Sequence, residues 1–261
     1  MSAVSVFVKR HPLVAFFALA YALTWPTIPL VAVSPLLGLP GLFGPAIAAI
    51  VTTAVAEGRP GLRDLLGRIL RWRVGARWYA IALGLPVVLA GAAAGAHLLL
   101  GGPAVLRVGT LSLLEPVLFV LIIGEELGWR GYALPRLLAR RSALAASLIL
   151  GLLWGLWHLP TFYVPGAPQH GLTISAFLLL TMAYSVLFTW IYLHTRGSVL
   201  IATLFHGAIN LSQGLLLGGL DPACTYWLLA AVYGLAALVL AAGSVRALGE
   251  PPSPKTGTVR T

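Results

Sequence analysis

The stretch "IIGEELGWRGYALPRLL", residues 122–138, sets two adjacent carboxylates, Glu125 and Glu126, at the end of an apolar run that begins near Leu111. The whole chain of 261 residues holds only seven acidic side chains, so two side by side need a reason. The surroundings are equally apolar: 59% of residues are hydrophobic and 9% charged, with a mean hydropathy of +0.93. Soluble domains carry about a quarter charged residues. Continuous apolar runs recur, many of them near the roughly 20 residues that a bilayer-spanning helix needs. Because they are unbroken and do not alternate, they exclude a β-barrel. The expected fold class is all-α, a polytopic membrane protein of about eight transmembrane helices.

Eight spans are expected, at 12–32, 39–56, 78–100, 111–129, 142–159, 172–193, 198–217 and 224–245. With the N-terminus in the cytoplasm, sixteen of the seventeen basic residues fall on the inner side. These are Lys9, Arg10, Arg59, Arg63, Arg68, Arg71, Arg73, Arg77, Arg130, Arg136, Arg140, Arg141, Arg196, Arg246, Lys255 and Arg260; Arg107 alone falls outside. This asymmetry follows the positive-inside rule. It assigns the net charge of +10 to topology and to contact with anionic lipid. No basic–aromatic surface remains for nucleic acid. An integral protein of the plasma membrane with both termini cytoplasmic is expected.

The first span follows Lys9 and Arg10 like a signal peptide, but it is long. Trp25, Pro26 and Pro29 stand where a small-residue cleavage site belongs, so it reads as a retained helix. The single Cys224 excludes an internal disulfide and a multi-cysteine zinc site. Residues 57–77 carry Leu62, Leu65, Leu66, Ile69 and Leu70 at helical spacing between arginines, the pattern of an amphipathic helix lying on the membrane surface. The loop 159–171 holds three prolines, and the tail 249–261, rich in Pro, Gly and Thr, is expected to be disordered. The organisation is therefore N-terminal transmembrane helices over 1–110, a central unit at 111–217, a last transmembrane helix within 218–248, and the tail. Small residues spaced four apart at Gly124/Gly128, Gly151/Gly155 and Gly214/Gly218 predict close helix approach.

Ionisable residues inside a span cost about 2.5–3.5 kcal/mol each on insertion scales and mark function or pairing. Glu126 and Arg130 are four apart, one helical face, and predict an ion pair. Glu125 is turned about 100° from Glu126 and is left free to point into a polar cavity. His206 and Asn210 are again four apart, and His158 precedes Pro160 near a helix end. Together they supply a base, a second proton-handling group and two hydrogen-bond donors, a set sufficient for water-mediated amide hydrolysis. His11, His97, His170 and His194 lie near span ends or in loops and receive no role; Glu115, before Pro116, is read as a helix cap or anchor.

In this order the residues match three motifs: EExxxR at 125–130, the histidine of FxxxH at His158, and HxxxN at 206–210. The chain thereby resembles the CAAX protease and bacteriocin-processing (CPBP, or Abi) family, which includes the type II CAAX prenyl endopeptidase. The resemblance covers roughly 111–217, and the FxxxH aromatic position is Trp154 instead of Phe. It implies an intramembrane endopeptidase with its active site inside the bundle. Glu125 would then be general base on a water, with His158 holding or protonating it. His206 and Asn210 would donate to the oxyanion, with Arg130 and Glu126 as braces. The substrate implied is a peptide or protein in or near the membrane; oligomeric state is not encoded in any motif.

Two mechanisms stay open at this level. A zinc held by Glu125, His158 and His206 would leave one open position; a metal-free glutamate mechanism, with no cofactor, uses His206 and Asn210 as donors and is the preferred expectation. Competing functions are a membrane immunity or scaffold protein that binds a peptide, and a proton-coupled transporter. A presenilin-like enzyme would need intramembrane aspartates, and Asp64 and Asp221 both fall outside the spans; a rhomboid-like serine at Ser198 would leave the glutamates unexplained. The expected topology contains one conflict: Glu125 falls near the cytoplasmic side and His158 near the opposite one.

Overall fold

A computed structural model describes residues 2–102, 115–217 and 220–243, and of 35, 115–120, 222 and 223 it describes the backbone alone. The described residues are helical, with no strand among them. The elements are α1 (Ala3–Arg10), α2 (Pro12–Thr24), α3 (Pro35–Leu42), α4 (Gly44–Gly67), α5 (Ala76–Leu99), α6 (Glu115–Glu126), α7 (Leu134–Leu138), α8 (Ala143–Trp157), α9 (Ile174–His194), α10 (Val199–Leu217) and α11 (Pro222–Gly243). Seven helical stretches among the described residues are long and apolar enough to cross a membrane. The chain is an all-α polytopic membrane protein. The expected fourth span is the one not among those seven; its first residues, 111–114, lie outside the described residues, as do Arg107, Gly218 and the tail 249–261.

The first span keeps its expected bounds, Pro12–Ala32, though not as one α-helix, and two other expected boundaries shift, each for a backbone reason. The first span leaves α-helical geometry after Thr24 and continues as a 3-10 segment, Trp25–Ala32, because Pro26 and Pro29 bring no N–H to an α ladder. The second span and the surface helix are one helical run, α4, bent at Gly58. Its φ of 65° with ψ of −152° is open essentially to glycine alone. Beyond this bend Leu65 is buried while Leu66 and Leu70 are exposed, and the helix stops at Gly67, before the last two of the expected apolar positions, Ile69 and Leu70.

The second shift removes the depth conflict. The expected fourth span does not end at 129: after α6 a π-helical segment, Leu127–Ala133, and then α7 carry the helical path on to Leu138. Roughly 20 Å of helix then separates Glu125 from the Leu138 end, and roughly 22 Å separates His158 from the adjoining start of α8, at about 1.5 Å per residue. The two side chains meet at one depth. The wide turn has a local cause. Pro135 has no N–H for the carbonyl of Gly131, and the Leu134 N–H bonds back to Trp129 in the π register.

Helix α8 packs along α9, α10 along α5, α11 along α9, and α2 along α4. Close approach is carried by particular glycines. A Cβ on Gly128 would stand 2.5 Å from Pro45, and one on Gly151 would stand 2.6 Å from the Met182 Cα and 2.8 Å from the Thr181 carbonyl. Gly214 has nothing within 4 Å among the described residues, and Gly218, the other member of that pair, lies outside them. Gly151→Leu is therefore expected to lower stability by about 1–3 kcal/mol through overpacking against the α9 backbone. Gly214→Leu should stay within about 0.5 kcal/mol of the parent. Unfolding of both variants in detergent checks the contrast.

Candidate active site

Glu125 and Glu126 close α6, one on each side of a division between cavity and core. Glu126 has no exposed surface, and its Oε1 accepts from Arg130 Nη1 at 2.8 Å. The same oxygen takes the Nδ1–H of His206, also at 2.8 Å. The first contact is the pair expected from the four-residue spacing. The second joins residues 80 apart in sequence, and no spacing could have announced it.

Arg130 is wholly buried, and its guanidinium lies between two rings, 3.6 Å from the Phe188 centroid and 4.5 Å from that of Trp154. Its Nε and Nη2 have no hydrogen-bond partner among the described residues, and the ring faces stand in their place. The aromatic of the FxxxH position thus has a reason to be large: Trp154 stacks on the brace and reaches the second carboxylate as well. Its indole Nε1–H donates to Glu125 Oε2 at 3.2 Å. Glu125 is therefore not left free, contrary to what its helical position predicts: one oxygen is aimed by Trp154, an interaction available to Trp and closed to the Phe of the motif.

His158 ends α8, and its Nδ1–H donates to the Trp154 carbonyl at 2.9 Å, which leaves Nε2 as the ring's other nitrogen. His206 is in the same position, with Nδ1 committed to Glu126. Asn210, one turn further along α10, is exposed. Glu125, Trp154, His158, His206 and Asn210 all line one cavity of about 760 Å³. Glu126 and Arg130 stand behind it. The wall includes groups no motif pointed to. Thr24 and Thr27 come from the N-terminal helices, while Gln213, seven residues past His206 on the same helical face, bonds to the hydroxyl of Tyr184 on the opposite side. For Gln213 the spacing from His206 was the available signal. For the threonines there was none.

A zinc would need Glu125, His158 and His206 on one ion. Among the described residues no three His, Cys, Asp or Glu side chains are gathered to hold a metal. Nδ1 of both histidines and one Glu125 oxygen are bonded to protein, which leaves Nε2 of each ring and the other carboxylate oxygen.

The region that carries these residues also matches known proteins. Residues 107–212 match the family model described as type II CAAX prenyl endopeptidase Rce1-like. This segment is similar to that family. A CAAX prenyl protease 2 of Methanococcus maripaludis is 39% identical to the chain over 110 residues, covering 39% of this chain and 41% of that protein. The match thus spans about two fifths of the length of that relative. The Rce1-like segment contains every motif residue from Glu125 to Asn210, while Thr24, Thr27 and Gln213 lie beyond it.

The buried network generates a stability prediction. Arg130→Met leaves the Glu126 carboxylate buried without its guanidinium and is expected to cost about 3–5 kcal/mol. Adding Glu126→Gln should recover part of that loss, because the uncompensated charge goes with it. Unfolding midpoints of the single and double variants in detergent measure the coupling; equal midpoints for the two would rule out a buried charge pair.

Proposed function

We propose that the protein is an intramembrane endopeptidase of the CAAX-protease type that cleaves a peptide bond with water activated by a glutamate. The observation that carries the reading is the shared cavity. A carboxylate, Glu125, and two side chains able to donate hydrogen bonds, His206 and Asn210, line one space that a peptide can enter, inside a segment similar to CAAX prenyl endopeptidases.

In this reading Glu125 takes a proton from a water, and the resulting hydroxide attacks the scissile carbonyl. Trp154 holds one carboxylate oxygen, which leaves the other for the water. His158, fixed at Nδ1, presents Nε2 to the same water or to the departing amine. His206 and Asn210 donate to the oxygen as it becomes an oxyanion, the contribution that such donors make in acyl transfer. With Nδ1–H on Glu126, donation from His206 Nε2 requires a ring carrying both protons. No step needs a metal.

The substrate proposed is a peptide or protein reaching the cavity from the bilayer or from its cytoplasmic face. The same reading puts both termini on the cytoplasmic side of a plasma membrane. Its support is the meeting of basic residues at one end of the bundle, where Arg71 and Arg196 bond across chain segments and Arg136 pairs with Glu57.

Purified protein in detergent, given prenylated and unprenylated peptides, is expected to cleave. Glu125→Gln should lose at least about 100-fold in rate, the lower end of what general-base catalysis contributes. His206→Ala and Asn210→Ala should each lose about 10²–10³-fold, mainly in kcat. A chelator should leave wild-type cleavage unchanged. Full activity of Glu125→Gln would end the proposal, and peptide binding without cleavage by the wild type would move the cavity to the class of peptide-binding proteins.

A further inference from the structure

A second pocket lies where the arginines gather. After α4 the chain from Arg68 to Gly75 is mostly non-helical, and its backbone is held by the short link between α9 and α10. The Val199 N–H donates to the Arg68 carbonyl at 3.0 Å, and Ser198 Oγ donates to the Arg71 carbonyl at 2.7 Å. The Arg196 guanidinium donates to the Arg73 carbonyl, and Arg71 Nη1 returns a 2.8 Å bond to the Arg196 carbonyl. Arg196 sits at φ 56°, the one non-glycine residue with positive φ among those described, followed by Gly197 at φ 72°. That conformation is uncommon for a side-chain-bearing residue and marks a site where surrounding structure imposes it.

The pocket between these segments is about 490 Å³ and is lined by Leu70, Arg71, Trp72, Arg73 and Arg196. Its charge is only partly neutralised. Asp64 is shared between Arg68 and Arg71, each at 2.7 Å. Arg73 and Arg196 have no ion pair among the described residues; Arg73 rests 5.2 Å over the Trp72 ring and is exposed. Beside the guanidinium groups stand two apolar side chains open to the surroundings, Leu70 at 76% and Trp72 at 57% exposure.

We infer that this pocket binds the phosphate of an anionic phospholipid headgroup. Guanidinium forks match phosphate oxygens in geometry and charge, and two arginines without an ion pair among the described residues, Arg73 and Arg196, line this pocket beside Arg71. The exposed leucine and tryptophan select the lipid over a free anion. A tryptophan beside arginine at the end of a membrane bundle occupies the headgroup level, with its apolar body toward the acyl chains. A bound headgroup would clamp residues 71–73 to Arg196, and so hold the start of the helix that carries His206. The inference rests on this pocket alone and stands whether or not the chain is a peptidase.

Native mass spectrometry of the full-length protein in detergent tests it, with phosphatidylglycerol, phosphatidylcholine and inorganic phosphate as probes. The wild type is expected to retain phosphatidylglycerol in preference to phosphatidylcholine. Arg73→Gln should weaken that binding roughly fivefold, the effect of about one basic side chain at an anionic surface. Leu70→Glu, which adds an anion at the rim without touching a guanidinium, should abolish the preference. Both positions are exposed, and the lipid-free unfolding midpoint confirms that each variant folds. The double variant Arg140→Gln/Arg141→Gln, also exposed basic residues but outside the pocket, should bind as wild type. Equal retention of the two lipids, equal loss in the Arg140/Arg141 variant, or displacement of the lipid by inorganic phosphate at matched concentration would each overturn the inference. The last two would leave diffuse surface charge or a free-anion site in its place.

Discussion

One oxygen atom organises the centre of this protein. Glu126 Oε1, without solvent exposure, takes a hydrogen bond from Arg130 and another from His206, both at 2.8 Å. A buried carboxylate is costly unless its partners are well placed, so the contact fixes how α10 is rotated against the end of α6. Once that rotation is set, His206, Asn210 and Gln213 line the cavity together, because they share a helical face. Arg130 is confined by Phe188 and Trp154, and Trp154 in turn aims Glu125. The two neighbouring glutamates therefore differ in environment although they differ by one position in sequence: one is locked in the core and the other borders the cavity.

The cavity has a second author in the N-terminal helices. The 3-10 segment and α3 are broken by prolines, yet broken backbone at membrane depth is tolerated where it lines a cavity or is buried in protein. Here it is secured by polar bonds. Thr24 Oγ1 donates to the Gly41 carbonyl at 2.7 Å, Trp25 Nε1 to the Trp157 carbonyl at 3.1 Å, and Tyr21 to the Leu153 carbonyl. The last two bonds end on α8, the helix that carries Trp154 and leads into His158. The N-terminal wall is consequently positioned by the same helix that positions the chemistry, although it lies outside the segment that resembles known endopeptidases.

Near Glu125 the π-helical segment does a related job. Gly128 lets it sit on Pro45 of α4, and Pro135 enforces the wide turn that follows. Extension of this helix to Leu138 brings the carboxylate to the depth of His158. At the arginine-rich end, the backbone from Arg68 to Arg73 is tied to Ser198, Val199 and Arg196, so the first turn of α10 is anchored to the N-terminal helices. The site is thus held from two directions, by an ion network in the core and by a basic staple at the surface.

Composition alone determined that the chain is a bundle of membrane helices, because apolar runs of bilayer length leave the backbone no other way to satisfy its polar groups. Spacing alone determined the Glu126–Arg130 pair and the common face of His206 and Asn210, since residues four apart meet within one helix. The order of the three motifs pointed to the Rce1-like segment. Other features had no local signature. That His206 bonds to Glu126, that Trp154 reaches Glu125, and that Thr24 and Thr27 share a wall with Asn210 depend on helices far apart in sequence. The depth of Glu125 is not legible in hydropathy, because the apolar-run boundary at 129 marks where hydropathy falls, whereas the helix continues through a buried arginine whose charge is matched inside the fold. Hydropathy records the transfer of each side chain taken alone; tertiary packing supplied the partners that allow charged ones to stay.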